Sequence, residues 1–107
     1  MRLLLSVFAL TLLSQITYSQ DFTVRGFLTN SADGEPMPFE KVKLLNADST
    51  SAGGAVSDVN GFYQISKLSK GEYILKVEAY TYSTQTQSIT VTLAKGISDV
   101  NFELEKQ

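Results

Sequence analysis

From Phe22 onward, short runs of alternating apolar and polar residues follow one another, separated by clusters of Gly, Pro, Asn, Asp and Ser. Strand side chains point to opposite sides with a period of two, so each run predicts a strand with one buried face. The clearest stretch begins at Asp58-Val59-Asn60-Gly61, an Asx-Gly turn that leads directly into a run in which Tyr63 and Ile65 share a face. After a short polar connection Gly71 opens a second run, with Tyr73, Leu75, Val77 and Ala79 on one face. The two runs read as a hairpin at the centre of the core.

The other runs complete the pattern. Residues 22–29 place Val24, Gly26 and Leu28 opposite Thr23, Arg25 and Phe27. Residues 30–38 predict a turn, because Asp33-Gly34 favours one and two prolines cannot donate to a ladder. Residues 39–45 set Val42 and Leu44 against Lys41 and Lys43, and the small, polar stretch 46–54 predicts the most mobile loop. A short strand at 55–57 precedes the two central runs, and residues 80–84 form a connection after them. Residues 85–93 place Gln87, Ile89, Val91 and Leu93 opposite Ser88, Thr90 and Thr92, and Val100, Phe102 and Leu104 mark the last strand. This makes about seven strands with no helical periodicity, repeat or linker, which predicts one all-β domain in the form of a sandwich or small barrel.

Residues 1–19 follow another logic. Arg2 precedes an apolar run over 3–13, broken only by Ser6 and Thr11, and Thr17 and Ser19 supply small residues before a cut. That is the layout of a secretory signal peptide, with cleavage expected between Ser19 and Gln20 and residues 20–107 as the exported domain. The run falls short of the ~20 residues that a spanning helix needs, so no transmembrane segment is expected in the mature chain. A lipoprotein anchor would need a cysteine, and the chain has none.

Composition then narrows the chemistry. The chain has 107 residues, 43% of them hydrophobic, and a net charge of -2 from nine basic and eleven acidic side chains. The basic residues are scattered singly, which excludes the basic stripe that nucleic acid requires. Cysteine and histidine are both absent. Disulfides, thiolate chemistry and imidazole bases are therefore excluded, and no spacing of serines and carboxylates supports a hydrolase, so the expectation is no enzyme and no cofactor. Asp58 and Asn60 sit as the first oxygen ligands of a calcium loop would, but the remaining carboxylates are missing, notably the distant bidentate glutamate. A turn accounts for the motif, and no metal site is expected.

Tyr80 and Tyr82, with Phe62 and Phe27 on outward faces, form the candidate contact surface for a protein partner or a carbohydrate. Ordinary edge covering is the competing account of these aromatics. Strand edges are the other candidate, and the pattern points to residues 98–105 and to the first strand. Asn101 has the opposite parity from Val100, Phe102 and Leu104, so it is expected to face solvent rather than form a buried Lys-Asn cross-link.

The order of motifs resembles a known family. Val24-Arg25-Gly26-Phe27-Leu28, then Gly34-Glu35-Pro36-Met37-Pro38 before Val42 and Leu44, then Asp58-Val59-Asn60-Gly61 before Tyr63 and Ile65, then Gly71-Glu72-Tyr73 before Leu75 and Val77, resemble the carboxypeptidase regulatory-like domain. The resemblance covers essentially the whole expected mature chain. It implies a seven-stranded antiparallel Greek-key sandwich of the prealbumin-like (transthyretin-like) kind without catalytic residues. It also implies a place in the cell envelope, periplasmic or outer-membrane associated, since such domains commonly form the periplasmic N-terminus of TonB-dependent outer-membrane receptors in the Bacteroidetes. A secreted carbohydrate-binding or adhesion module is the alternative. The chain departs from the family where Glu40 replaces a small residue and where Thr81-Tyr82 replaces a Gly-Tyr pair, which predicts a different conformation after the fifth strand. No barrel follows Gln107, so the expectation is a stand-alone module or a separated piece of a receptor.

Overall fold

The computed structural model describes residues 21–107, and the expected leader with its cut between Ser19 and Gln20 lies outside the described residues. Eight strands follow in order: β1 Asp21–Asn30, β2 Lys41–Asn46, β3 Ser51–Val56, β4 Phe62–Leu68, β5 Gly71–Val77, β6 Gln85–Val91, β7 Lys95–Asp99 and β8 Phe102–Leu104. They form two four-stranded sheets, one ordered β4-β1-β7 with β8 also paired to β1, the other β3-β2-β5-β6. The chain is an all-β sandwich. Six strands, β1, β2, β4, β5, β6 and β8, bury positions that the pattern marks: Val24 and Leu28, Val42 and Leu44, Tyr63 and Ile65, Leu75 and Val77, Val91, Phe102 and Leu104 all lie in one cluster between the sheets.

Three expectations are corrected. The two central runs do not form a hairpin, because β4 pairs with β1 while β5 pairs with β2 and β6. Alternation reports which face is buried and says nothing about which strand lies alongside. The short link between them is a corner: Lys67 takes a positive φ of 61° near the end of β4, next to a register shift in the β1–β4 ladder, and the chain crosses to the other sheet. The stretch expected to be the most mobile loop supplies β3 instead, paired antiparallel to β2 from Lys41–Val56 to Leu45–Ser51. Its small side chains carry no apolar alternation, yet the backbone hydrogen-bonds without it. The final strand is two strands, and both run parallel to β1, whereas the other pairings are antiparallel.

The break between β7 and β8 explains Gly26. A Cβ on Gly26 would overlap the Val100 carbonyl oxygen, so only glycine lets the connection between β7 and β8 approach β1 this closely. The ladder is repaired locally on both sides: the Val100 N–H donates to the Arg25 carbonyl at 2.7 Å, and the Asn101 Oδ1 accepts the Phe27 N–H at 2.9 Å. Asn101 is exposed, as its parity predicts, and its side chain stands in for a missing backbone carbonyl.

From β4, on the other flank of β1, the Tyr63 hydroxyl donates to the same Val100 carbonyl at 2.5 Å. Burial, with a smaller contribution from the charge of Asp99, pushes the Tyr63 phenol well above its ordinary value near 10. The folded state therefore holds this proton more tightly than the unfolded state, and stability falls as pH rises past the unfolded value. Tyr63→Phe is expected to lose about 1 kcal/mol at neutral pH and to flatten the alkaline decline. Urea melts of both proteins from about pH 8 to 11 measure the two effects; equal slopes would remove this role from Tyr63.

Candidate functional site

The strongest local motif is structural. The Asp58 Oδ1 accepts N–H groups from Asn60 at 2.8 Å and Phe62 at 3.0 Å, and the Gly61 N–H returns to the Asp58 carbonyl. Gly61 has φ +76° and its added Cβ would meet the Leu28 carbonyl oxygen at 2.5 Å, so the Asx-Gly pair is dictated by both conformation and space. This turn carries the chain from β3 to β4. Just before it, Ser57 is buried and clamps the proline-rich loop: its Oγ donates to the Met37 carbonyl and accepts the Glu40 N–H, while its own carbonyl accepts the Phe39 N–H. Among the described residues no three His, Cys, Asp or Glu side chains gather as metal ligands.

The aromatic candidates fall into separate places. Phe27 and Phe62 are cross-strand partners on the outer face of the β4-β1-β7 sheet, with ring centroids 5.3 Å apart and planes tilted by 58°. Tyr82 lies beyond the end of β1, where its hydroxyl accepts the Asn30 amide at 3.2 Å and its backbone bridges to Lys106. Asn30 has the inward parity of Leu28, so β1 itself separates Tyr82 from the Phe27–Phe62 pair. Tyr80 stands clear of both, 92% exposed at the tip of a turn.

In that turn Thr81 has φ 69°, and the Tyr82 N–H bonds back to the Ala79 carbonyl. Two further bonds hold the strained residue, Ser83 N–H to the Glu105 carbonyl and Gln107 N–H to the Thr81 carbonyl. A β-branched residue in the left-handed region is strained. Thr81→Gly is therefore expected to stabilise the protein by about 0.5–1 kcal/mol, read as a higher urea midpoint with an unchanged slope.

Strand edges are the second candidate. The first strand is not one of them: β1 lies inside its sheet, between β4 on one side and β7 and β8 on the other. The true edges differ in quality. The C-terminal edge is interrupted at Val100-Asn101, β3 has a register shift opposite Leu44 and Leu45, and β4 carries its irregularity near Lys67. In contrast β6 pairs with β5 without interruption over seven residues, from Gln85 to Val91, and none of them is charged. Beside it, on the outer face, Glu72, Ile74, Ser88 and Thr90 line a shallow depression. Farther along that face Glu78 takes a hydrogen bond from Lys43 at 3.0 Å and lies 3.5 Å from Lys76, and these cations hold its carboxyl below the usual range. Such exposed pairs contribute little to stability.

The family model of the carboxypeptidase regulatory-like domain matches residues 23–105. No curated protein sequence matches the chain. Among solved structures, the Bacillus anthracis TIE protein superposes with a TM-score of 0.70 at 16% identity, covering 80% of this chain and 17% of that one. BcpA, the major pilin subunit of Bacillus cereus, gives 0.68 at 18% identity over 82% of this chain and 31% of that one. A putative carbohydrate binding protein of Pseudomonas aeruginosa gives 0.57 at 14% identity, over 80% and 91% respectively. The chain thus spans less than a third of the first two proteins. Enzymes share the architecture as well, at 10% and 12% identity. At these identities the likeness is one of fold.

Proposed function

Because the chain belongs to the carboxypeptidase regulatory-like domain family, we propose that residues 20–107 form a non-catalytic, exported module of the cell envelope, released from a leader at 1–19, that spaces and binds protein partners. The setting resembles the periplasmic N-terminal domain of TonB-dependent outer-membrane receptors. The observation that carries the reading is the β6 edge. Exposed edges are ordinarily blunted by charge, bulges or interruption, and β6 has none of these over its whole length. Its unpaired backbone groups fit an added strand from an extended partner segment.

Selection from a random peptide display library on the purified protein tests this. Enriched peptides are expected to lose binding to the double variant Thr86→Lys/Ser88→Lys, which charges the exposed side chains of β6. Recovery of no peptide sensitive to that variant would count against strand addition. Fractionation of cells expressing the full chain tests export, and retention of the intact leader in the cytoplasm would contradict it.

A second reading, carbohydrate binding, is favoured by the Tyr80–Tyr82 turn. The turn presents the exposed ring of Tyr80, and Tyr82 carries a hydroxyl that accepts the Asn30 amide, so a stacking face and polar groups come from one short segment. Glycan-array binding that Tyr80→Ala abolishes would support this reading; Tyr80 is so exposed that its loss leaves the core untouched.

A further inference from the structure

We infer that the strand added to β6 is β6 of a second copy of this chain, so that two domains join about a two-fold axis into one continuous sheet in the order β3-β2-β5-β6-β6-β5-β2-β3. The inference rests on the proposal that β6 accepts a strand, and names the strand.

Self-pairing makes a demand that a foreign segment does not. In a two-fold antiparallel contact each residue of the strand meets a residue of the same strand, so a charge near the centre meets its like and drives the copies apart. A strand reserved for another partner uses that repulsion to refuse itself. β6 has no such device. From residue 79 to residue 94 the chain contains no charged side chain, no proline and no glycine, and the residues of β6 lie in unbroken register on β5. Because β6 meets β6, the contact closes at two copies. The far edge of the sheet, β3, has a register shift and the adjacent glycines Gly53 and Gly54, so it offers no equally regular ladder for further growth.

The charges beside β6 fit the same arrangement. Ser88 is the middle residue of β6, and a pairing centred there uses the whole strand, with Thr86 opposite Thr90 of the second copy. The β5 ladder places Lys76 beside Thr86 and Glu72 beside Thr90, all four on the outer face. Lys43 and Lys76 share one carboxylate, Glu78, at one end of this face, while Glu72 at the other end has no ion pair among the described residues. The two-fold therefore brings the positive end of each face alongside the negative end of the other. On the inner face it sets Gln87, exposed for want of a neighbour, against half-buried Ile89 of the second copy.

Sedimentation equilibrium of the purified protein reads this out. A dimer is expected. Thr86→Glu/Thr90→Glu and Thr86→Lys/Thr90→Lys are each expected to dimerise at least about tenfold more weakly, because position 86 then meets a like charge at position 90. An equimolar mixture of the two variants is expected to recover the dimer, which also shows that both are folded. A protein that stays monomeric at every concentration overturns the inference, and library peptides that lose binding to Thr86→Lys/Ser88→Lys would then leave strand addition standing. A dimer that neither variant weakens lies on another surface and overturns it. So does a mixture that fails to recover the dimer, or assembly that grows past two copies.

Discussion

Gly26→Ala is expected to destabilise the protein by about 2–3 kcal/mol, the usual cost of forcing an extra group into a packed site, although the methyl itself is small. The reason is where that methyl goes. It would overlap the Val100 oxygen, and no side-chain rotation can accommodate it, since the obstacle is backbone. The chain between β7 and β8 has to lift, which weakens three bonds together: Val100 to Arg25, Asn101 to Phe27, and Tyr63 to Val100. Hydrogen exchange should therefore rise first along β7 and β8, with β2 and β5 still protected. A uniform loss of protection, or a cost under about 0.5 kcal/mol, would show that the crossing is softer than described.

Leu75→Ala is expected to cost about 3 kcal/mol by a different mechanism. Leu75 is fully buried, faces Leu44 across the β2–β5 ladder, and lies in the middle of the cluster shared by both sheets. Truncation removes apolar contact and leaves a cavity that surrounding strands cannot close without breaking their ladders. Unlike Gly26→Ala, it should lower protection across both sheets alike. Chemical denaturation with an unchanged slope would measure it, and a loss below about 1.5 kcal/mol would mean that the core collapses around the gap.

Much of this architecture is legible in the chain because burial enforces periodicity. Tyr63, Leu75 and Val91 point inward as their alternation predicts, and the class of fold follows from them. What period two leaves open is partnership: Tyr63 and Leu75 both belong to the core, yet they lie in different sheets. Along the edge strand and just past its end the rule also weakens. Gln87 and Leu93 share the parity of Val91 but are exposed, on a strand that has a neighbour on one side only. β3 is hidden from such a reading since Ser51, Ala52, Gly53 and Gly54 have too little apolar surface to show a face.

The candidate contact surface is legible as a set of residue types and not as a place. Tyr80, Tyr82, Phe62 and Phe27 all belong to the surface layer, but β1 separates Tyr82 from the phenylalanines, and Tyr80 stands clear of both. The backbone of Phe39 escapes the pattern, since a positive φ at a residue other than glycine leaves no mark in it. Thr81 shows the reverse case, in which a non-glycine residue keeps a backbone path that glycine would take without strain.

The parallel alignment of β7 and β8 along β1 also sets an order of events. Arg25 and Asp99 meet across 74 residues of chain, so one flank of β1 stays open until nearly all of the domain has been synthesised. Contacts this distant in sequence slow folding, into the range of about milliseconds to seconds. A polypeptide built this way cannot close before its C-terminal strands are available to dock on its first.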